Sequence, residues 1–229
     1  MKIDNKLSIF LFLFVLIVSC QQVHEKKDFR IVSERASKFN SLLQKYQSVS
    51  FDTLNLFSSS ELESDTYPFK GKLLDSGEVE LVKEALSIKG GIEPFFFACS
   101  KFEIDSTLLG LITRVPSIYE SSSIKLLLYD KTKHRIVDFI ELAETFGDAG
   151  DYAEKVSWIY KDQDKSYKGF ICYEVSHDNS VENPADTTVE TSKNCYLIQF
   201  SNKGIDTLSN NPRQLSEVFL SVQKPLIEK

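Results

Sequence analysis

Apolar positions follow two different periods along the chain. Between residues 29 and 46, Phe29, Val32, Ala36, Phe39, Leu43 and Tyr46 recur at spacings of three and four, with Arg30, Ser33, Glu34, Arg35, Lys38 and Lys45 between them. Side chains at those spacings share one helix face, so the segment predicts an amphipathic helix packed on its own domain. A second, short helix is expected over Gly77–Leu86, capped by Asp75 or Ser76 and ended by Gly90, Gly91 and Pro94. From Phe95 the period becomes two. Strands are expected over Phe95–Ile104, Leu108–Val115, Ile124–Tyr129, Ile136–Leu142, Lys155–Lys161, Lys168–Ser176 and Cys195–Ser201, with a last short one over Gly204–Leu208. Phe51–Phe57 alternates briefly and can add another. The links, such as Asp105-Ser106, Asp130–Lys133 and Asn202-Lys203-Gly204, are turn chemistry.

Consecutive strands joined by short links read as an antiparallel meander. The expected fold is mainly β (α+β): a curved sheet, a sandwich or an open barrel, with the N-terminal amphipathic helix against it. A closed propeller needs roughly four or more four-stranded blades, more than this length holds.

The first twenty residues follow neither period. Lys2 and Lys6 precede an apolar run from Leu7 to Val18, and Ile17-Val18-Ser19-Cys20 closes it. The run is shorter than the roughly twenty residues of a spanning helix and has the charged start and small-residue end of a secretory signal. Ile17-Val18-Ser19-Cys20 resembles the lipobox of bacterial lipoproteins: an aliphatic residue three before the cysteine and a small one just before it. The resemblance covers the leader alone. It implies cleavage before Cys20, a diacylglycerol on its thiol and often an acyl chain, such as palmitate, on the new amino group. Two or three chains hold a protein stably on a bilayer where one does not. The implied location is the cell envelope, at the outer membrane on its periplasmic side or at the cell surface.

On this reading residues 1–19 are the signal peptide and 20–28 a polar tether. Residues 29–94 hold the helix and a mixed segment that packs with the β region, 95–229, as a single domain. Lys2, Lys6 and Asp4 carry a net +1, so the whole-chain charge of −6 becomes −7 without the leader. That acidity disfavours nucleic acid and anionic lipid headgroups as partners, which leaves the membrane, through the anchor, and an envelope protein.

Cys99, Cys172 and Cys195 remain once Cys20 is lipidated. If the strands before and after residues 177–193 form an antiparallel hairpin centred near Asn183-Pro184, Cys172 falls opposite Cys195. Facing Cβ atoms there lie about 4.5–5.5 Å apart, so a disulfide is the alternative to two buried thiols.

The most site-like cluster is the acidic stretch Glu141, Glu144, Asp148, Asp151 and Glu154, loosened by Gly147 and Gly150. Read as a loop, it offers Glu144, Asp148 and Asp151 as oxygen ligands for Ca²⁺, which takes six to eight, although the spacing matches no standard motif and no other cofactor is expected. The same carboxylates would serve a hydrolase of envelope polymers or glycans, given a cleft and the right separation. Asp162–Ser166 starts like a calcium-binding loop, but Tyr167 and Tyr173 stand where glycine and glutamate are needed, so it reads as a hairpin turn. His24, His134 and His177 lack ligand-spaced partners. Phe95-Phe96-Phe97 and the pair Trp158 and Tyr160 read as core, and residues 177–193 as a long connection. No G-x-S-x-G, H-E-x-x-H, P-loop or G-x-G-x-x-G occurs. The function expected is therefore non-catalytic binding or scaffolding. A hydrolase and a calcium or small-ligand binder are the alternatives.

Overall fold

The structure is a computed structural model that describes residues 34–59, 61–62, 64, 66–88, 95–117 and 123–223. The leader, Cys20, the tether, His24, Phe29, Val32, Gly90, Gly91 and Pro94 lie outside the described residues. The chain is mainly β. Eleven strands form one sheet: β1 (Gln47–Ser48), β2 (Thr53–Leu56), β3 (Lys72–Leu73), β4 (Phe97–Glu103), β5 (Leu108–Val115), β6 (Ser123–Asp130), β7 (Arg135–Asp148), β8 (Asp151–Lys161), β9 (Tyr167–Asp178), β10 (Val189–Ser201) and β11 (Gly204–Ser209). Among the described residues three α-helices accompany them: α1 over residues 34–45, α2 (Ser76–Leu86) and α3 (Pro212–Gln223).

From β4 to β11 each strand pairs antiparallel with the next. The meander is not the whole sheet, because β1 lies parallel to β4, β3 pairs with β4 and β2 pairs with β8. The key strand is β7. Its residues up to Ala143 pair with β6, and from Glu144 onward they pair with β8. Handing one strand to two neighbours in succession lets the sheet fold over on itself. β4–β6 and the start of β7 then face β8–β10 across a core that takes Phe102, Ile112, Leu126, Leu142, Ile159, Ile171 and Ile198, one from each strand from β4 to β10. Phe102 of β4 stands 5.0 Å from Tyr167 of β9, ring to ring, and Phe51 touches both. At the far end Ile205 of β11 donates its backbone N–H to Asp138 of β7 at 2.8 Å.

Helices cover the outer faces. α1 buries Phe39 and Leu42, followed by Tyr46, against Leu111, Leu127 and Tyr129; α2 adds Val79, Val82 and Leu86. The buried seam is thus Phe39, Leu42 and Tyr46: Phe39 and Tyr46 belong to the stripe read in the sequence, and Leu42 takes the place of Leu43, which is only half-buried. Lys101 Nζ donates to the Leu43 carbonyl at 2.5 Å, placing a cation at the end of α1 where the unpaired carbonyls are. α2 starts with a capping box: Asp75 accepts from the Glu78 N–H, and Glu78 accepts from the Asp75 N–H. Buried Glu78 also accepts from Ser41 at 2.9 Å and pairs with Lys45 at 3.5 Å, coupling the two helices. α2 ends at Ser87, whose φ of 55° gives the left-handed cap, so the glycines at 90 and 91 are not its stop. α3, which the sequence reading did not include, lays Leu215, Val218 and Phe219 over Trp158 and Phe170 on the other outer face.

Gly110 of β5 faces Phe102 so closely that an added Cβ would overlap the ring. Gly110→Ala is expected to cost about 1–3 kcal/mol by overpacking. Phe102→Leu placed in the same chain should recover part of that loss, although alone it destabilises. Urea unfolding of the two single variants and the double variant checks the sign of the coupling.

Candidate functional site

The point where β7 changes partners is also the most charged interior of the molecule. Glu141 accepts from Lys125 of β6 at 2.9 Å and from Lys155 of β8, and all three side chains are only about one-fifth exposed. Burial alone would raise the Glu141 carboxyl, but the two ammonium groups outweigh it and hold the acid down to about 2. Glu144, three residues on, has the opposite fate. Burial pushes its carboxyl up, the neighbouring Glu141 adds to this, and a hydrogen bond from Ser117 only partly opposes it. The pair is therefore split, with one acid firmly ionised and its neighbour holding its proton more tightly than usual. Tyr173 completes the surround, with the Lys155 ammonium 5.5 Å from its ring centroid.

Chemically the cluster can hold a proton between two carboxyls and bridge three strands. The charge of Glu141 is close enough to Glu144 to help raise its carboxyl. Glu141 and Glu144 were visible in the sequence as part of the acidic stretch. Lys125, Lys155 and Ser117 were not, because only strand register brings them there.

That stretch is not a loop. Asp148 and Asp151 end β7 and β8 and face each other across a two-residue turn, Ala149-Gly150, with φ values of 48° and 92°, the backbone of a tight hairpin. Glu144 lies four residues back along β7, about 13 Å at strand spacing, so Glu144, Asp148 and Asp151 do not share one site. Among the described residues no three His, Cys, Asp or Glu side chains come together as a metal site would require. Asp151 instead meets His177 Nδ1 at 2.7 Å, and this hydrogen bond raises the imidazole above its usual value. His134 Nδ1 lies 3.0 Å from the Tyr129 hydroxyl. Asp162–Ser166 is a hairpin turn closed by the Asp162 N–H on the Ser166 carbonyl.

Beyond the charged cluster the ends of β7 and β10 and the adjoining parts of β8 and β9 continue as a four-stranded arm. Residues 177–193 belong largely to it: β9 reaches Asp178, β10 begins at Val189, and a 3₁₀ turn at Asn179–Val181 opens the connection. None of the residues 173–178 or 189–194 is buried. At six residues past its base, the arm extends about 20 Å. Its base is fixed by a disulfide between Cys172 and Cys195, opposite each other in β9 and β10 with Cα atoms 4.2 Å apart. Cys99 is a buried free thiol whose burial raises it to about 12. Trp158 and Tyr160 are core residues under α3, Phe96 is fully buried, and Phe95 is exposed.

No family model matches the chain, and comparisons with curated proteins and with solved structures find no match either.

The split carboxyl pair makes stability depend on pH with two signs. The contribution of Glu141 is complete above its ordinary value of 4.5 and is lost as pH falls toward about 2. That of Glu144 is complete below 4.5 and is lost as pH rises through its raised value. Glu144→Gln should therefore be more stable than the parent chain at neutral pH. Glu141→Gln should lose about 1–3 kcal/mol at pH 7 by leaving two half-buried lysines without their carboxylate, with a flatter acid limb. Urea midpoints between pH 2 and 8 read both effects. The disulfide closes a separation of 23 residues, and replacing both cysteines by alanine should cost about 3 kcal/mol, measured by the same unfolding assay.

Proposed function

We propose that the chain is a lipid-anchored protein of the bacterial cell envelope, held through Cys20, that works as a non-catalytic binding or scaffolding module. The tether, residues 20–28, holds the domain off the bilayer. The arm formed by β7–β10 is its contact surface.

One observation carries the binding part of this reading: about six residues of four neighbouring strands extend past the core, unburied along β9 and β10, and are stapled at their base. Stability does not call for such an extension, since ordering each residue costs roughly 1–2 kcal/mol in backbone entropy and apolar burial returns little of it there. A partner that covers the arm would supply the missing burial. The anchor part rests on the leader sequence, Ile17-Val18-Ser19-Cys20. Among the described residues no helix is long and apolar enough to cross a membrane.

Affinity capture of the full chain from mild-detergent membranes, followed by mass spectrometry, tests both parts. The expected result is membrane fractionation of the parent chain, release of the Cys20→Ser chain, and a stoichiometric envelope protein that is reduced when the arm tip carries Tyr152→Asp and Val181→Asp together. A Cys20→Ser chain that still fractionates with membrane would sink the anchor. Capture of the chain alone under every condition would sink the scaffold.

A further inference from the structure

β10 runs past its neighbour. β11 pairs with it only from Leu197 to Ser201, so among the described residues no strand lies on that side of Val189–Tyr196. Every residue from Val189 to Asn194 is exposed. The direction of the free backbone groups follows from the ladder on the other side. The Asn179 N–H donates to the Thr188 carbonyl, while the Asp178 N–H turns away to Gly150. From there β9 and β10 pair without a bulge down to Lys168 and Gln199. Val189, Thr191, Lys193 and Cys195 therefore sit at non-hydrogen-bonded positions, as the 4.2 Å Cα separation at Cys172 and Cys195 also requires. Their N–H and C=O groups point outward, away from β9. An exposed row of this kind is a template for another strand.

We infer that the strand completing this edge is β10 of a second copy of the chain, antiparallel to the first about a twofold axis. A twofold normal to the sheet keeps each face on its own side, so the axis must pass beside a residue of β10, and three positions are available. An axis at Thr191 leaves the outward groups of Cys195 unpaired. An axis at Lys193 sets two lysines opposite each other and drives Val189 into Leu197, which β11 already occupies. An axis at Ser192 does neither. It pairs Val189 with the partner's Cys195, Glu190 with the partner's Asn194 and Thr191 with the partner's Lys193. All outward N–H and C=O groups are then used and no like charges face each other.

The same register also seats an apolar side chain. Beside Cys195, where β11 has left the sheet, a groove of about 980 Å³ opens between β10 and α3, lined by Phe170, the disulfide, Leu215, Phe219 and Leu220. Val189 is 58 % exposed and shares the face of Cys195. Across the twofold each Val189 comes to the mouth of the other copy's groove. One patch thus completes itself, the condition for an isologous dimer, and two arms become one continuous sheet. The inference goes beyond the scaffold reading and does not rest on the anchor, because a chain carrying Cys20→Ser presents the same edge.

The test uses the full chain in mild detergent. Ser192→Cys places two thiols across the axis at a non-hydrogen-bonded pair, where Cα atoms lie about 4.5 Å apart. Mild oxidation should convert most of that variant to a covalent dimer on a non-reducing gel. Glu190→Cys, displaced from the axis, should remain uncrosslinked. In sedimentation the parent chain should be dimeric at micromolar concentration, and Thr191→Pro, which deletes one outward N–H and no bond to β9, should weaken dimerisation about tenfold or more. A monomeric parent chain, or a dimer that does not crosslink through position 192, overturns the inference.

Discussion

The architecture depends on β7 being shared. A strand that keeps one neighbour on each side extends a sheet, whereas β7 gives residues 135–143 to β6 and 144–148 to β8. The switch has an electrostatic lock. Glu141 lies within three residues of it and is gripped by Lys125 from the strand before and Lys155 from the strand after. Because the carboxylate is mostly shielded, the two ammonium groups act in a medium where charge is poorly screened. The cluster therefore fixes which strand lies on which side of β7 at the bend. Everything downstream inherits that choice: the facing of Phe102 and Tyr167, the outer face left for α3, and the direction in which the arm leaves the body.

Much of the fold was legible because periodicity reports burial. β5 was bounded correctly at Leu108–Val115, since both of its ends are buried. α2 was read from the run after Asp75 and Ser76, either of which could cap it, because a helix start is a local device that needs no tertiary partner; the structure settles the cap at Asp75. The errors fall where polarity and backbone part company. Asp148-Ala149-Gly150-Asp151 looks like a loop by composition, yet Ala149 and Gly150 supply the two positive φ values of a tight hairpin, and the strands run to its very edge. Glu144 and Glu154 belong to paired strands and are half-buried among charged and polar neighbours, so no apolar alternation marks them. Residues 177–193 misled for the same reason. α3 was legible but not read: Pro212 opens it, Asn211 accepts from the Arg213 N–H, and Leu215, Val218 and Phe219 recur at helical spacing.

The charged cluster was half legible, and the missing half shows why. A sequence displays Glu141 and Glu144 as neighbours, but Lys125 and Lys155 lie 16 and 14 residues from Glu141 and arrive only through the ladders that β7 builds on each side. The disposition of Cys172 and Cys195 is different in kind. It follows from counting outward from a hairpin centre near Asn183-Pro184, and the ladder from Lys168 to Asp178 keeps that count unbroken.

The disulfide marks the boundary between two regimes of stabilisation. On the core side of Cys172 the sheet is held by Phe170, Ile171 and their buried neighbours. On the far side the strands keep their ladders with little apolar burial. Without a cross-link such an extension would fray residue by residue, because local opening there exposes almost nothing new to water. A covalent tie at Cys172, the last buried residue of β9, lets the arm hold strand geometry with little core of its own, and rigid strand geometry is what an outward row of N–H and C=O groups needs if it is to be matched by another strand. If the chain is tethered to a bilayer by Cys20, copies are confined to a plane. Confinement would raise their effective concentration toward one another, so an edge contact that already forms at micromolar concentration in detergent solution would be close to saturated on the membrane. The core thus supplies stability and the disulfide carries rigidity outward into the arm, while an anchor at Cys20 would supply concentration.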